Sequence, residues 1–305
     1  MSILINQNTR MAVQGITGRE ASMIVSHTLA YGTKIFAGIT PGKGGQYVQG
    51  VPVYDTVREA VKKHGINASL IVVPPAFALD AVLEAISNGI KLIVVTTENI
   101  PQHDAIKLLY AARKENVTII GPNTVGMINP KDRIKMGSIG GDRPERCFIP
   151  GNVGVISRSG GMTAETSWMV KRAGFGVTTS IGIGGDSLIG TTIKDLLVLF
   201  EKDEETEAVV TFSEPGTSFE EDAAQLISEG DFSKPLISFV AGKFTESMPE
   251  GTVFGHAGAM ISGNTGRPSL KMQRLKESGA HVVEKYDDII SVLQSVLSSK
   301  VGEPK

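Results

Sequence analysis

Cysteine is almost missing from this sequence: Cys147 stands alone. One thiol excludes an internal disulfide and a cysteine-based zinc cluster, and it fits a reducing compartment. No metal site is expected. An excess of one charge is missing as well. Lys and Arg number 30 against 32 Asp and Glu, a formal net charge of −2, which gives no reason to propose nucleic acid or an anionic membrane as partner. The opening MSILINQNTR lacks the basic and apolar regions of a secretory leader, so a cytoplasmic location is expected. No apolar run is long enough to cross a bilayer. What is present is a chain of 305 residues, 41% hydrophobic and 20% charged, with 35 glycines. That composition implies a folded, cored protein of about two domains at roughly 150 residues each.

Short β-branched runs at 11–14, 34–39, 69–73, 91–96 and 117–120 alternate with helix-like stretches such as 77–88 and 105–115. Strand-length and helix-length runs in alternation imply βαβ units around a parallel sheet. Residues 129–150 break the rhythm with Pro130, Pro144, Pro150 and the pair Gly140–Gly141, and read as an interdomain connection. A second series follows. Strands are expected at 152–157, 177–181, 207–212, 235–240 and 281–283, with helices at 162–172, 191–200, 219–228, 269–277 and 286–297. The expected fold is therefore α/β throughout. A Rossmann-like domain over 1–128 is joined by 129–150 to a flavodoxin-like, doubly wound domain over 151–305. The tail 302–305 is expected to fray.

Right-handed crossovers put the loops after the strands along one edge of such a sheet, where ligands bind. The first strand runs into Gln14-Gly15-Ile16-Thr17-Gly18-Arg19-Glu20, a glycine turn opening a helix. Free N–H groups and the helix dipole suit a phosphate there, although a tight turn with no ligand reads the same. A dinucleotide site for NAD has an acid after the second strand. Here that strand runs into Thr40-Pro41-Gly42-Lys43-Gly44-Gly45, which favours a phosphorylated ribose, as in CoA or NADP; a solvated lysine is the plainer alternative. The later loops hold Pro74-Pro75, Thr96-Thr97-Glu98 and Gly121-Pro122-Asn123-Thr124. In the second half, Arg158-Ser159-Gly160-Gly161, Gly182-Ile183-Gly184-Gly185-Asp186 and Ser213-Glu214-Pro215-Gly216 follow successive strands. Three such loops on one edge suit a phosphate site.

Of the five histidines, His27, His64 and His103 lie in polar or helical surroundings and His281 starts a strand. His256 sits in Phe254-Gly255-His256-Ala257-Gly258-Ala259, where small neighbours clear space around the ring. An imidazole acts as a nucleophile when one nitrogen is free and the other is held, and Glu214 is a candidate holder. A loop histidine without chemistry is the alternative.

These motifs together resemble the alpha subunit of the succinyl-CoA synthetase family. MSILI, QGITGRE, TPGKGG, VPP, GPN, GVISRSG, GIGGD and GHAGA occur in family-like order over nearly the whole chain. The resemblance implies coenzyme A contacts from Thr17, Gly18, Arg19, Glu20, Lys43, Thr96, Thr97, Glu98 and Asn123. It implies a phosphorylated His256 supported by Glu214, with the phosphate at a helix start formed by Ser159, Gly160 and Gly161. It also implies a separate ATP-grasp beta subunit carrying the nucleoside triphosphate and Mg, in an alpha–beta or alpha2–beta2 assembly. A carboxylic acid would become an acyl phosphate and then an acyl-CoA, as in the tricarboxylic acid cycle.

The sequence departs from the family pattern in places. Ala164 replaces a tyrosine that contacts the organic acid, Ser213-Glu214-Pro215-Gly216-Thr217 replaces GEIGG, and Thr124 replaces a cysteine. SRSGGM and VFGHAGA lie closer to ATP-citrate lyase and citryl-CoA synthetase. Succinate is the leading substrate, with citrate or malate as alternatives that suit a larger pocket. Two other functions compete: an NADP-dependent oxidoreductase, which leaves His256 without a role, and a non-catalytic CoA-binding module, which would bind without being phosphorylated.

Overall fold

Met11–Gln14 forms β1, buried at every position, as a strand covered by helices on both faces must be. The computed structural model describes residues 2–249, 252 and 255–300. Met1, Val253 and Phe254 of the motifs above, and the tail 302–305, lie outside the described residues. After β1 come α1 (Arg19–Tyr31), β2 (Ile35–Ile39), β3 (Tyr47–Val48) and β4 (Val51–Tyr54). Then follow α2 (Val57–His64), β5 (Ala68–Ile71), α3 (Pro75–Ser87), β6 (Leu92–Val95), α4 (Gln102–Lys114) and β7 (Thr118–Ile120). The first sheet has the order β3-β4-β2-β1-β5-β6-β7, parallel except for β3 against β4. Strand order reverses between β1 and β5, which opens a crevice above Gln14 and Ile71.

The second half contributes β8 (Met127–Asn129), β9 (Ile134–Met136), β10 (Pro150–Ser157), α5 (Gly160–Arg172), β11 (Val177–Gly182) and α6 (Ile193–Lys202). It continues with β12 (Ala208–Ser213), α7 (Phe219–Ser228), β13 (Leu236–Val240), α8 (Pro268–Glu277), β14 (His281–Val283) and α9 (Asp288–Lys300). The sheet order is β14-β13-β12-β10-β11-β8-β9. The β14-to-β11 portion is parallel, and β8 and β9 add an antiparallel edge. Its switch point lies between β10 and β12, above Ser157 and Phe212.

The strands expected from sequence are present. Their ends differ by a residue or two, because helix and strand ends are set by hydrogen bonding rather than by hydrophobicity. The stretch 129–150, expected as a connection, carries part of the second sheet. The β8–β9 hairpin begins at Met127 and pairs Ile128 with Ser180 of β11. The β3–β4 hairpin was not foreseen either. Its two-residue turn is Gln49-Gly50, both at positive φ (51° and 80°), without the Asn-Gly pair that announces such turns.

The two sheets share one core. A single cluster of buried side chains includes Met11, Val13 and Leu70 of the first sheet together with Met127, Ile156, Ile181 and Leu196 of the second half. The loops on their carboxyl edges are also bonded to each other. Gly190 N–H donates to Gly121 O at 2.9 Å, and the Thr191 hydroxyl donates to Ile119 O at 2.7 Å. The two ligand-binding edges therefore meet.

α7 and α8 are locked by a buried ion pair. Lys271 (side chain 0% exposed) bonds Glu220 (1%), and Glu221 stands 3.7 Å from the same ammonium with its carboxyl pushed up by burial. Removing one member of such a group strands the other charge. Lys271→Met is expected to cost about 3–5 kcal/mol. Adding Glu220→Leu is expected to recover most of that loss, as read by denaturant unfolding of both variants.

Candidate active site

At the first switch point lies a cavity of about 530 Å³. Gly15, Thr17 and Gly18 line one wall, Thr40 and Pro41 a second, and Val72, Val73, Pro74 and Phe77 a third. Gly15 is required there. Its φ is +80°, and a β-carbon would stand 2.2 Å from Val72 O. Gly18 caps α1 without a side-chain hydrogen bond, so the first-turn N–H groups are open to an anion. Thr17 and Thr40 join the first two walls through their hydroxyls at 3.3 Å.

Of the residues expected to contact coenzyme A, Thr17 and Gly18 line this cavity; the other seven are outside its lining, on separate turns and loops. Arg19 and Glu20 are exposed on the first turn of α1, and Lys43 is exposed on the turn after β2. That turn is held where Gly44 N–H donates to Asp55 at 2.9 Å. The Thr97 hydroxyl donates to Val73 O at 2.8 Å and that of Thr96 to Ile71 O at 3.1 Å, tying the loops after β5 and β6. Glu98 is exposed beyond them. Asn123 faces the second half: its amide donates to Asp186 at 2.9 Å, while its backbone N–H donates to Thr97 O at 3.0 Å. The cavity joins the open α1 terminus on one wall to an apolar wall at Phe77, and Asp80 and Glu84 also line it. Phe77 escaped sequence reading because it begins like any helix-face aromatic.

At the second switch point His256 Nδ1 donates to Glu214 Oε2 at 2.7 Å. Glu214 directly follows β12, and its side chain is 14% exposed against 30% for His256. The imidazole rests on Gly185, where a β-carbon would stand 2.5 Å from the ring. Gly258 N–H donates to Gly185 O at 3.1 Å and fixes the loop beyond the ring. The carboxylate accepts the Nδ1 proton, so Nε2 carries the free lone pair. The His256 pKa is raised, first by the Glu214 hydrogen bond; burial and Arg158 oppose this, and the charges of Glu214 and Asp186 add to it.

Ser159 is the N-cap of α5 and, like Gly18, makes no side-chain cap. Gly160 is close-packed against Val125, whereas nothing lies within 4 Å of a β-carbon on Gly161, which opens on solvent. Thr124, in place of the family's cysteine, donates through its hydroxyl to Gly182 O and accepts from Gly126 N–H at 2.8 Å. Ala164 is half-buried on α5 one turn beyond Gly160. The loops after β10, β11 and β12 thus share one edge with a held imidazole. This arrangement can accept a phosphoryl group at Nε2 and hold its oxygens with backbone N–H groups. No candidate metal cluster of His, Cys, Asp and Glu occurs among the described residues.

The raised pKa sets a sign. Protonated His256 stabilises the fold fully below the ordinary value of 6.5, and that contribution is lost as pH rises through the raised folded value. Glu214→Gln is expected to move the His256 midpoint down and to remove this limb of the stability curve. Nitrogen NMR of the labelled histidines across pH 5–9, beside thermal unfolding at the same pH values, measures both; an unmoved midpoint would contradict the assigned bond.

Two family models match the chain, a CoA binding domain over residues 6–99 and a CoA-ligase over 156–281. The chain is 43% identical over 297 residues to the ADP-forming succinate–CoA ligase subunit alpha 1 of Archaeoglobus fulgidus, covering 97% of this chain and 99% of that one. It is 41% identical over 299 residues to a subunit of an ADP-forming sulfoacetate–CoA ligase from an Acholeplasma species, covering 97% and 98%. Among solved structures, the ATP citrate lyase of Methanosaeta concilii with (3S)-citryl-CoA superposes with a TM-score of 0.88 at 23% identity. That match covers 99% of this chain and 52% of the longer protein, a likeness of fold. With both domains matched, and alpha-subunit relatives aligned from end to end, the chain belongs to the CoA-ligase family of succinate–CoA ligase alpha subunits and their sulfoacetate–CoA ligase counterparts.

Proposed function

We propose that this chain is the alpha subunit of a nucleoside-diphosphate-forming acid–CoA ligase that works through phosphorylated His256, with succinate as its leading substrate. One observation carries the reading: His256 Nδ1 is held by Glu214 at 2.7 Å while the ring lies over Gly185 at a sheet switch point. A partner subunit of the ATP-grasp class would supply nucleoside triphosphate and Mg. His256 Nε2 attacks the terminal phosphorus, the bond to the nucleoside diphosphate breaks, and Glu214 keeps the Nδ1 proton and balances the charge gained by the ring. The first-turn N–H groups of α5, from Gly160 and Gly161, bind the phosphoryl oxygens. A carboxylate oxygen of the acid then attacks phosphorus and Nε2 leaves, which yields an acyl phosphate and restores the neutral ring. Coenzyme A supplies the thiol that takes the acyl group and releases phosphate. Thr17 and Gly18 receive its anionic portion, Lys43 lies on the side where the strand-two loop meets a ribose phosphate, and Thr96, Thr97, Glu98 and Asn123 continue the path toward the second half. Arg19 and Glu20 stand at the entrance.

The relatives also support a second choice of acid. One acts on sulfoacetate, and Ala164, smaller than the tyrosine of the family pattern, leaves room beside α5 for an acid other than succinate. Citrate and malate belong in the same comparison.

The test is chemical. The chain, co-expressed with its nucleotide-binding partner, is exposed to ATP or GTP labelled in the terminal phosphate. Acid-labile, base-stable label is expected on wild type and absent from His256→Ala, whose turnover should fall by at least about a thousandfold. Glu214→Ala should slow labelling by about 10²–10⁴. Label discharged by coenzyme A with one acid among succinate, sulfoacetate, malate and citrate names the substrate. A folded complex that takes no label from either nucleotide would overturn the phosphohistidine reading.

A further inference from the structure

A cation is buried behind His256 with no carboxylate to neutralise it among the described residues. Arg158, directly after β10, is 1% exposed and heads the largest fully buried side chains. A guanidinium so placed normally takes an acidic partner, because desolvating an unpaired charge is costly. Here the acceptors are neutral. Nη1 donates to Pro215 O at 3.4 Å and to the Thr217 hydroxyl at 3.2 Å; Nη2 donates to Gly185 O and Asp186 O, each at 3.4 Å. Nε has no partner. The plane faces Phe219 at 5.3 Å, which adds a cation–π contact and excludes water.

Each acceptor belongs to a loop that shapes the histidine site. Gly185 is the floor under the imidazole, and Pro215 and Thr217 follow Glu214. Gly258, two residues after His256, passes so close that a β-carbon would stand 2.4 Å from Nη2. Thr217 is held at φ +55°, a left-handed conformation that a β-branched residue adopts only when its surroundings impose it. The fork of Arg158 is one of those constraints.

Resting on the phosphohistidine reading, we infer that Arg158 is a positioning residue of the phosphoryl transfer. It pins the loops after β11 and β12 around His256, and its positive charge is balanced when the phosphoryl group arrives on the ring. The resting site holds a cation with weak acceptors, and the phosphorylated site gains the anion that the cation lacks. Such an arrangement favours the phosphoenzyme over the free imidazole. The charged groups facing His256 are Glu214, Asp186 and Arg158, and Arg158 alone opposes protonation of the ring by charge.

The alpha–beta complexes of wild type, Arg158→Lys and Arg158→Gln serve as the test. Two quantities are read: the His256 midpoint by nitrogen NMR, and the equilibrium fraction of labelled chain at a fixed ratio of nucleoside triphosphate to diphosphate. Arg158→Gln is expected to raise the midpoint and lower the phosphoenzyme-to-free ratio by at least about tenfold. Arg158→Lys keeps the charge and loses the fork, so its midpoint should stay near wild type and its labelling should lie between the two. A folded Arg158→Gln that labels like wild type overturns the inference. So does a pair of variants that label equally poorly with unmoved midpoints, which would mean packing alone. If Arg158→Gln fails to fold, Arg158→Lys decides: an unlabelled folded Arg158→Lys complex is the overturning result. Wild type that takes no label sinks the phosphohistidine reading itself, and the midpoint shift in Arg158→Gln still reports whether the two side chains are coupled.

Discussion

An imidazole can carry a phosphoryl group only if one nitrogen presents a lone pair and the other can keep its proton as positive charge builds on the ring. The bond from His256 Nδ1 to Glu214 meets both requirements. It fixes the tautomer, orients Nε2 away from the carboxylate and places a counter-charge 2.7 Å from the proton. The rest of the second half serves this bond. β12 delivers Glu214 at its carboxyl end, β11 delivers the bare backbone of Gly185 as a floor, and β10 feeds the α5 terminus beside them. Parallel strands in register bring all three loops to one edge, which is why a doubly wound sheet suits the task.

The bond has an electrostatic cost. A carboxylate that raises the pKa of His256 also lowers the population of neutral ring at a given pH. Burial and the Arg158 charge act in the opposite direction. The ring is thus held between a partner that orients it and surroundings that resist its protonation. On the proposed reading, this opposition gives a role to a buried guanidinium bonded only to carbonyl and hydroxyl oxygens. An apolar residue of the same volume would fill that space without stranding a charge.

Much of this was legible in the chain. Alternating β-branched and helical runs gave the α/β architecture, because both faces of each parallel strand are buried and its hydrophobic run is continuous. The Glu214–His256 pair was legible because a histidine among small residues does not pack a core, and an acid at a strand end is free to meet it. The β8–β9 hairpin was hidden by the prolines and glycines around it, which signal a connection whether or not two short strands lie within. Arg158 was hidden more thoroughly. In Ser-Arg-Ser-Gly an arginine reads as solvated, and only the convergence of distant loops buries it. Asn123 shows the same limit: the family resemblance implied a coenzyme A contact there, whereas its partner Asp186 lies 63 residues away and is brought to it only by the fold.

The bonds between the two edges give the molecule its last constraint. Asn123 accepts from Gly185 N–H through its carbonyl at 3.3 Å, donates to Asp186 through its amide, and donates to Thr97 O through its backbone. Thr97 in turn donates to Val73 O, a wall of the first cavity. A chain of hydrogen bonds therefore runs from the cavity at the first switch point, through the ends of β5, β6 and β7, to the floor beneath His256. The two sites belong to different sheets, but their walls are one bonded surface over one shared hydrophobic cluster. A ligand that orders the Val73–Thr97 loops acts on the same backbone that seats the imidazole. On the proposed reading, the acid activated at His256 must meet the coenzyme A thiol, and this bonded surface holds the walls of the two sites in one fixed relation for that step.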